Sequence, residues 1–422
     1  MPLKSILIII NMNLLIILPW LPYPYNTGGN QAVMNSIEAI HNEVNVYLVA
    51  LGNPKAEKVR QEMLEMMPNI TIDLFYPHHY KFKELEWPLI VEKIVNHLFY
   101  HKKKQSEIFN YLERTRKYGE FDTHWMPYLA NIIEKYKIDI VQCEFLETIG
   151  LITVIPNNIK KIFVHHELGY IRDELELAIN PKRDILIPMA KRRKAIEIGF
   201  LNQYDGVITL SGIDAKKLKC ENVAIPIYPS FAIVKNNYQF KLPEKFNNRI
   251  TFVGPENHQP NKQGVDWFLK NSWNKIIQSN PQMHFEVIGN WTSETKVKYE
   301  TQYPNLSFLG FVSSLQEVLI GSIMIVPIHV GSGIRMKIQE AANIGIPFVT
   351  TTIGVEGLPF RNEIDCFIED DATKFANRII ELQNLHKQKK MASAAYQTVT
   401  NFYTFEHLQT NRLSIYKQIL KK

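Results

Sequence analysis

Between Ile323 and Leu358 the chain reads IMIVPIHVGSGIRMKIQEAANIGIPFVTTTIGVEGL, with its glycines and charges in an order that suits anion binding. Gly331 and Gly333 flank Ser332, so the backbone can approach a ligand closely, and the amides that open the next helix lack intrahelical partners. Such a loop suits a phosphate. Arg335 and Lys337 fall in the first turn of that helix, where the dipole prefers anions, a placement that makes sense with an anionic ligand in the loop. Glu340 follows Lys337 at helical spacing and faces the same side. The competing reading of all three is an ordinary solvated helix face.

Two further groups carry chemistry. His165 and His166 close the apolar run KKIFV, and Glu167 follows them. A strand alternates faces, so only one of the pair points to a given side; the adjacent Glu167 favours His166, with a core histidine as the alternative. Gly28, Gly29 and Asn30 precede a helix and can present its amides to an anion, although a Gly-Gly pair there can be simply a turn. Neither an Asp-x-Asp pair nor a G-x-G-x-x-G run occurs anywhere, which argues against a divalent-metal site of the Asp-x-Asp kind and against a dinucleotide fingerprint.

These residues need a scaffold of strands and helices, and the pattern supplies one. Short apolar runs alternate with helical periodicity, as βα units of a parallel sheet do. Strands are expected at Leu14 to Leu18, Val46 to Ala50, Ile72 to Phe75, Ile138 to Val141, Ile162 to His165 and Gly206 to Leu210. The second half repeats the scheme at Ile250 to Val253, Phe285 to Ile288, Leu306 to Leu309, Ile323 to Val326 and Phe348 to Thr350. The glycine loop then leads into a helix from Ile334 to Ile344, stopped by Gly345 and Pro347. Pro226 to Phe246 turns polar with scattered prolines and is expected to be a hinge.

The Ile323 to Leu358 segment resembles the donor-site signature of the large retaining glycosyltransferase family 4 (glycosyl transferases group 1), which has the GT-B fold. LLIILPWLPYPYNTGGNQAVMNSIEAI looks like that family's first strand, glycine turn and first helix. KKIFVHHELGY is similar to its strand ending in a histidine and an acidic residue. YDGVITLSGIDAKKL and ITFVGPENHQPNKQGVDWFL resemble the end of its first domain and the start of its second. The resemblance implies two doubly wound, Rossmann-like domains facing a cleft: residues 12–230 on the acceptor side, 231–403 holding the donor, and 404–422 a helix returning to the first domain. It implies that Glu340 accepts hydrogen bonds from the nucleotide ribose, that Gly331, Ser332, Gly333, Arg335 and Lys337 hold the diphosphate with help from Gly28, Gly29 and Lys262, and that His166 and Glu340 are catalytic, with Asn30 and Glu167 on the acceptor side. Many members carry a second glutamate where this chain has Ser332, so donor-sugar selectivity does not carry over.

The activity implied is metal-independent transfer of a sugar from a nucleotide-sugar co-substrate to a glycan or lipid-linked acceptor with retention, in polysaccharide or glycoconjugate synthesis. No cofactor is implied. The alternatives are a sugar-nucleotide epimerase of the same fold and a non-catalytic nucleotide-sugar-binding partner protein.

Bulk properties agree. A chain of 422 residues, 45% hydrophobic, suggests two domains. A net charge of +6 is modest for a nucleic-acid binder, and no such partner is expected. Cys143, Cys220 and Cys366 form neither a metal pattern nor a disulfide framework, which suggests a reducing, cytoplasmic setting. Ser5 to Trp20 falls short of the ~20 apolar residues of a spanning helix, so it is expected to hold a buried strand behind a dispensable Met1 to Asn11, an interfacial anchor being the lesser alternative. Basic clusters at Lys102 to Lys104 and at Lys191, Arg192, Arg193 and Lys194 suit peripheral contact with the inner membrane face.

Overall fold

The computed structural model describes residues 12–25, 27–76, 122–179, 187–235 and 237–421. The expected Met1 to Asn11 extension and the Lys102 to Lys104 cluster lie outside them. The chain divides into two compact units, residues 1–231 with 408–422, and residues 232–407.

The first unit is built on seven strands: β1 (Asn13–Leu18), β2 (Asn45–Leu51), β3 (Thr71–Phe75), β4 (Ile140–Glu144), β5 (Lys160–His165), β6 (Gly206–Thr209) and β7 (Ile227–Pro229). Their order is β3-β2-β1-β4-β5-β6-β7, with every pair parallel. Parallel sheets are covered on both faces, and Leu14 to Leu18 are all buried, as an unbroken apolar run requires. The sheet grows one way from β1 to β3 and the other way from β4, so its switch point lies between β1 and β4.

The second unit has β8 (Arg249–Val253), β9 (His284–Ile288), β10 (Leu306–Gly310), β11 (Ser322–Val326), β12 (Phe348–Thr350) and β13 (Phe367–Ile368), ordered β10-β9-β8-β11-β12-β13 and again all parallel. Its switch point lies between β8 and β11. The core is aromatic and aliphatic, with Phe252, Phe268, Trp273 and Phe285 fully enclosed and the Trp273 indole donating to the Pro304 carbonyl at 3.0 Å.

All eleven expected strands are present, with instructive shifts. The strand expected at Ile138 starts at Ile140, because Lys137 is left-handed (φ 48°) and the Ile138 amide returns to the Ile133 carbonyl at 3.0 Å to close the preceding helix. β7 falls inside the stretch expected to be only a hinge, and β13 is too short to show a period. The final helix, Phe405–Leu420, crosses to the first unit: Gln409 donates to the Ala39 carbonyl at 2.8 Å, and the Tyr416 hydroxyl to Gln142 Oε1 at 2.7 Å. Among the described residues no helix is long and apolar enough to cross a membrane.

Candidate functional site

In the second unit, β11 runs through the core and ends at Val326, after which the chain enters the glycine loop. Gly331 (φ 142°) and Gly333 (φ 79°) adopt backbone that other residues resist. A Cβ on Gly331 would lie 2.9 Å from Arg335 Nη2, so the guanidinium rests over that glycine, and Nη1 donates to the Gly333 carbonyl. This contact alters the expected helix start. Arg335 is the non-helical cap (φ −89°, ψ 88°) and the helix runs Met336–Ile344, because the arginine folds back on its own loop. Gly345, left-handed at φ 95°, ends the helix as expected.

Lys337 is the second residue of the helix. Its ammonium donates to Asn261 Oδ1 at 3.0 Å and sits 4.3 Å from the centre of the Phe252 ring. Although part of the residue reaches solvent, burial lowers its pKa to about 7; Glu340 opposes that shift and Arg335 adds to it. Arg335, Lys337 and Glu340 therefore form one electrostatic group, with Arg335 and Glu340 buried, at the C-terminal end of β11 beside the switch point.

The helix after β8, Gln259–Phe268, supplies the opposite wall. Asn261 is the residue that sequence reasoning missed there: its amide donates to the Pro255 carbonyl at 3.0 Å while its oxygen receives Lys337. It fits because Gly254 has no side chain, a Cβ there lying 2.5 Å from the Asn261 amide nitrogen. Lys262 is turned elsewhere, toward Glu256 Oε1 at 2.5 Å. Burial alone would raise the Glu256 pKa, yet hydrogen bonds from Lys262, Thr295 and Thr292 hold it at about 2.

In the first unit the groups meet at the exits of β1, β4 and β5. Thr27 caps the helix Gly28–Ile40 by accepting the Asn30 amide at 3.1 Å. The Asn30 side chain turns inward, accepting from the Trp20 indole at 3.0 Å and donating to the Pro24 carbonyl at 2.9 Å, so it organises the loop. Gly29 lies against Phe145, where a Cβ would be 3.1 Å from the ring. Phe145 follows β4 at φ 68°, ψ 153°, a conformation costing ~1–3 kcal/mol in a non-glycine residue. Its ring stacks on His166 at 4.0 Å and 14° and meets Trp20 at 5.0 Å on centroids.

The two histidines separate as strand alternation requires. His165 ends β5, is 1% exposed and shares 2.8 Å with Glu197 Oε1 on the helix Ile187–Leu201. His166, just past the strand, places Nε2 2.5 Å from Glu144 Oε2, with side-chain exposures of 10% and 2%. Glu167 pairs with Arg172 at 2.6 Å. Glu147, also unforeseen, has its pKa raised by partial loss of water around its carboxyl, with Glu167 adding to the rise, although much of the residue is exposed. Gln142 and Glu144 were legible in principle, as two polar residues at period two inside a buried strand.

Residues 247–384, within the second unit, match the family of glycosyl transferases group 1. A relative from Klebsiella pneumoniae, known as an uncharacterized 44.6 kDa protein in the cps region, is 27% identical over 197 residues, covering 44% of this chain and 51% of that protein. The chain thus matches about half the length of that relative. Among solved structures, sucrose-phosphate synthase of Thermosynechococcus elongatus has a TM-score of 0.71 at 13% identity, over 97% of this chain and 100% of that one. TarM of S. aureus has 0.68 at 11% over 97% and 99%, and Anabaena HepE in complex with UDP and glucose 0.63 at 12% over 96% and 100%. At these identities the likeness shows the fold, which is GT-B.

Proposed function

We propose that the protein is a metal-independent, retaining glycosyltransferase that moves a sugar from a nucleotide-sugar donor to a glycan or lipid-linked acceptor. The observation that carries this is the convergence of Arg335, Lys337 and Glu340 at the start of one helix, at a sheet switch point and inside the matched family segment. Two cations beside loop amides suit a diphosphate, and a buried carboxylate that only accepts hydrogen bonds suits ribose hydroxyls. Asn261 keeps the Lys337 ammonium in place.

In the reaction the bond from the anomeric carbon to the diphosphate oxygen breaks and a bond to the acceptor oxygen forms on the same face. The acceptor's proton passes to the departing diphosphate. Arg335 and Lys337 stabilise the charge that grows on that leaving group, the role a metal fills in other transferases. Ser332, Gly331 and Gly333 present backbone and hydroxyl to the phosphates, Gly28 and Gly29 offer helix-opening amides, and Lys262 serves only if it leaves Glu256. His166 is the catalytic residue of the first unit and Glu167 belongs to the acceptor side, with Asn30 shaping the loop there.

HepE, solved with UDP and with UDP-glucose, makes uridine donors the first to try, and the cps-region relative favours polysaccharide synthesis. The test is product analysis of a nucleotide-sugar panel with and without glycan acceptors, in EDTA. Release of nucleoside diphosphate with glycosylated acceptor, unaffected by EDTA, is expected. An isomerised donor formed without acceptor would make the protein an epimerase.

A further inference from the structure

The first unit contains a buried hydrogen-bond chain. Tyr416, on the last helix, places its hydroxyl 2.7 Å from Gln142 Oε1; Gln142 Nε2 lies 2.6 Å from Glu144 Oε1; and Glu144 Oε2 lies 2.5 Å from His166 Nε2. Tyr416, Gln142 and Glu144 are all at most 2% exposed. Tyr416 donates to Gln142, Gln142 donates to Glu144 Oε1, and the other carboxyl oxygen of Glu144 faces the imidazole. Gln142 thus turns its amide nitrogen to Glu144 and its oxygen to Tyr416. On the other side, Glu144 Oε2 is placed to accept a proton carried on His166 Nε2.

We propose that Glu144, Gln142 and Tyr416 are positioning residues that hold the His166 proton on Nε2 and leave Nδ1 as the ring atom that meets a substrate hydroxyl. Phe145 completes the device by covering one face of the imidazole, and it adopts backbone that phenylalanine resists in order to do so. Edge and face are thus both fixed, which is how a proton-handling ring is kept in one tautomer and one orientation. The chain also gives the terminal helix a task beyond packing, since residue 416 reaches the exit of β5 through two side chains. That Nδ1 meets a substrate rests on the function proposed above; the sense of the hydrogen bonds does not.

The test is ¹⁵N NMR of the histidine side chains of the full chain, with His166 assigned by the signal lost in His166→Asn. In the wild type Nε2 should bear the proton. Glu144→Gln keeps the shape, and Gln142 still needs an oxygen facing it, so the new amide nitrogen meets Nε2; the proton should move to Nδ1, inverting the tautomer ratio by about tenfold or more. Tyr416→Phe removes one hydroxyl at the far end and should keep the tautomer while speeding exchange of that proton with water roughly two- to tenfold. It serves as the probe should Glu144→Gln fail to fold. An Nδ1 proton in the wild type, an unchanged tautomer in folded Glu144→Gln, or unchanged exchange in Tyr416→Phe would overturn the proposal. Stabilisation by UDP, measured separately, reports on the second unit and so distinguishes failure of this chain from failure of the proposed function.

Discussion

At the residue scale, Glu340 and Lys337 make opposite demands on the protein. Glu340→Gln keeps size and packing but weakens a charged acceptor worth ~1.5–3 kcal/mol, so nucleotide affinity should fall roughly ten- to a hundred-fold with unchanged circular dichroism. Unchanged binding in titration calorimetry would remove the ribose assignment. Lys337 has a folded pKa of about 7, below its unfolded value. Between pH 7 and the unfolded value the unfolded chain binds the extra proton, so stability rises with pH across that window. The diphosphate prefers the ammonium form, so affinity should be flat below pH 7 and fall by up to tenfold per pH unit above it, until the higher pKa of the complex is reached. Lys337→Met should flatten that profile, while making the unliganded protein more stable at neutral pH by about 1–3 kcal/mol after solvent screening. Chemical denaturation and calorimetry from pH 6 to 9 check both halves. What sequence could not show at this scale was partnership. Asn261 stands in an unremarkable local context, and Glu144 stands out only as a polar residue in a buried strand; their importance comes from Lys337, 76 positions away, and from His166, 22 away.

At the element scale, two glycines separate stability from binding. Gly345 caps the helix Met336–Ile344 at φ 95°, with a Cβ site 3.0 Å from the Lys241 carbonyl oxygen. Gly345→Ala should cost ~1–3 kcal/mol in denaturant unfolding and leave nucleotide affinity nearly unchanged. Gly264 lies in the helix that carries Asn261, and a Cβ there would lie 2.6 Å from the Pro327 carbonyl oxygen. Gly264→Ala should push that helix off the exit of β11, losing ~1–3 kcal/mol and nucleotide affinity together. Equal affinity in the two variants would show that the helix does not position Lys337. The strands were legible because parallel strands buried on both faces are unbroken apolar runs, as Leu14 to Leu18 and Ile323 to Val326 are. Boundaries set by backbone geometry were not: Lys137 delays β4 and Arg335 delays the helix after the glycine loop, each through a contact that no periodicity records.

At the scale of the whole molecule, the two units carry different parts of the account, the nucleotide groups on one and the His166 chain on the other. The return of the terminal helix to the first unit means that this unit is complete only with the chain end in place. The central claim is that a diphosphate binds at Arg335, Lys337 and Glu340, and ligand-dependent unfolding of the intact protein tests it most directly. A nucleoside diphosphate at 100 times its dissociation constant should stabilise the wild type by ~2.7 kcal/mol, the matching nucleoside far less, and Lys337→Met should lose most of the diphosphate increment. Equal stabilisation by nucleoside and diphosphate, or none by any nucleoside diphosphate or nucleotide sugar, would contradict the account.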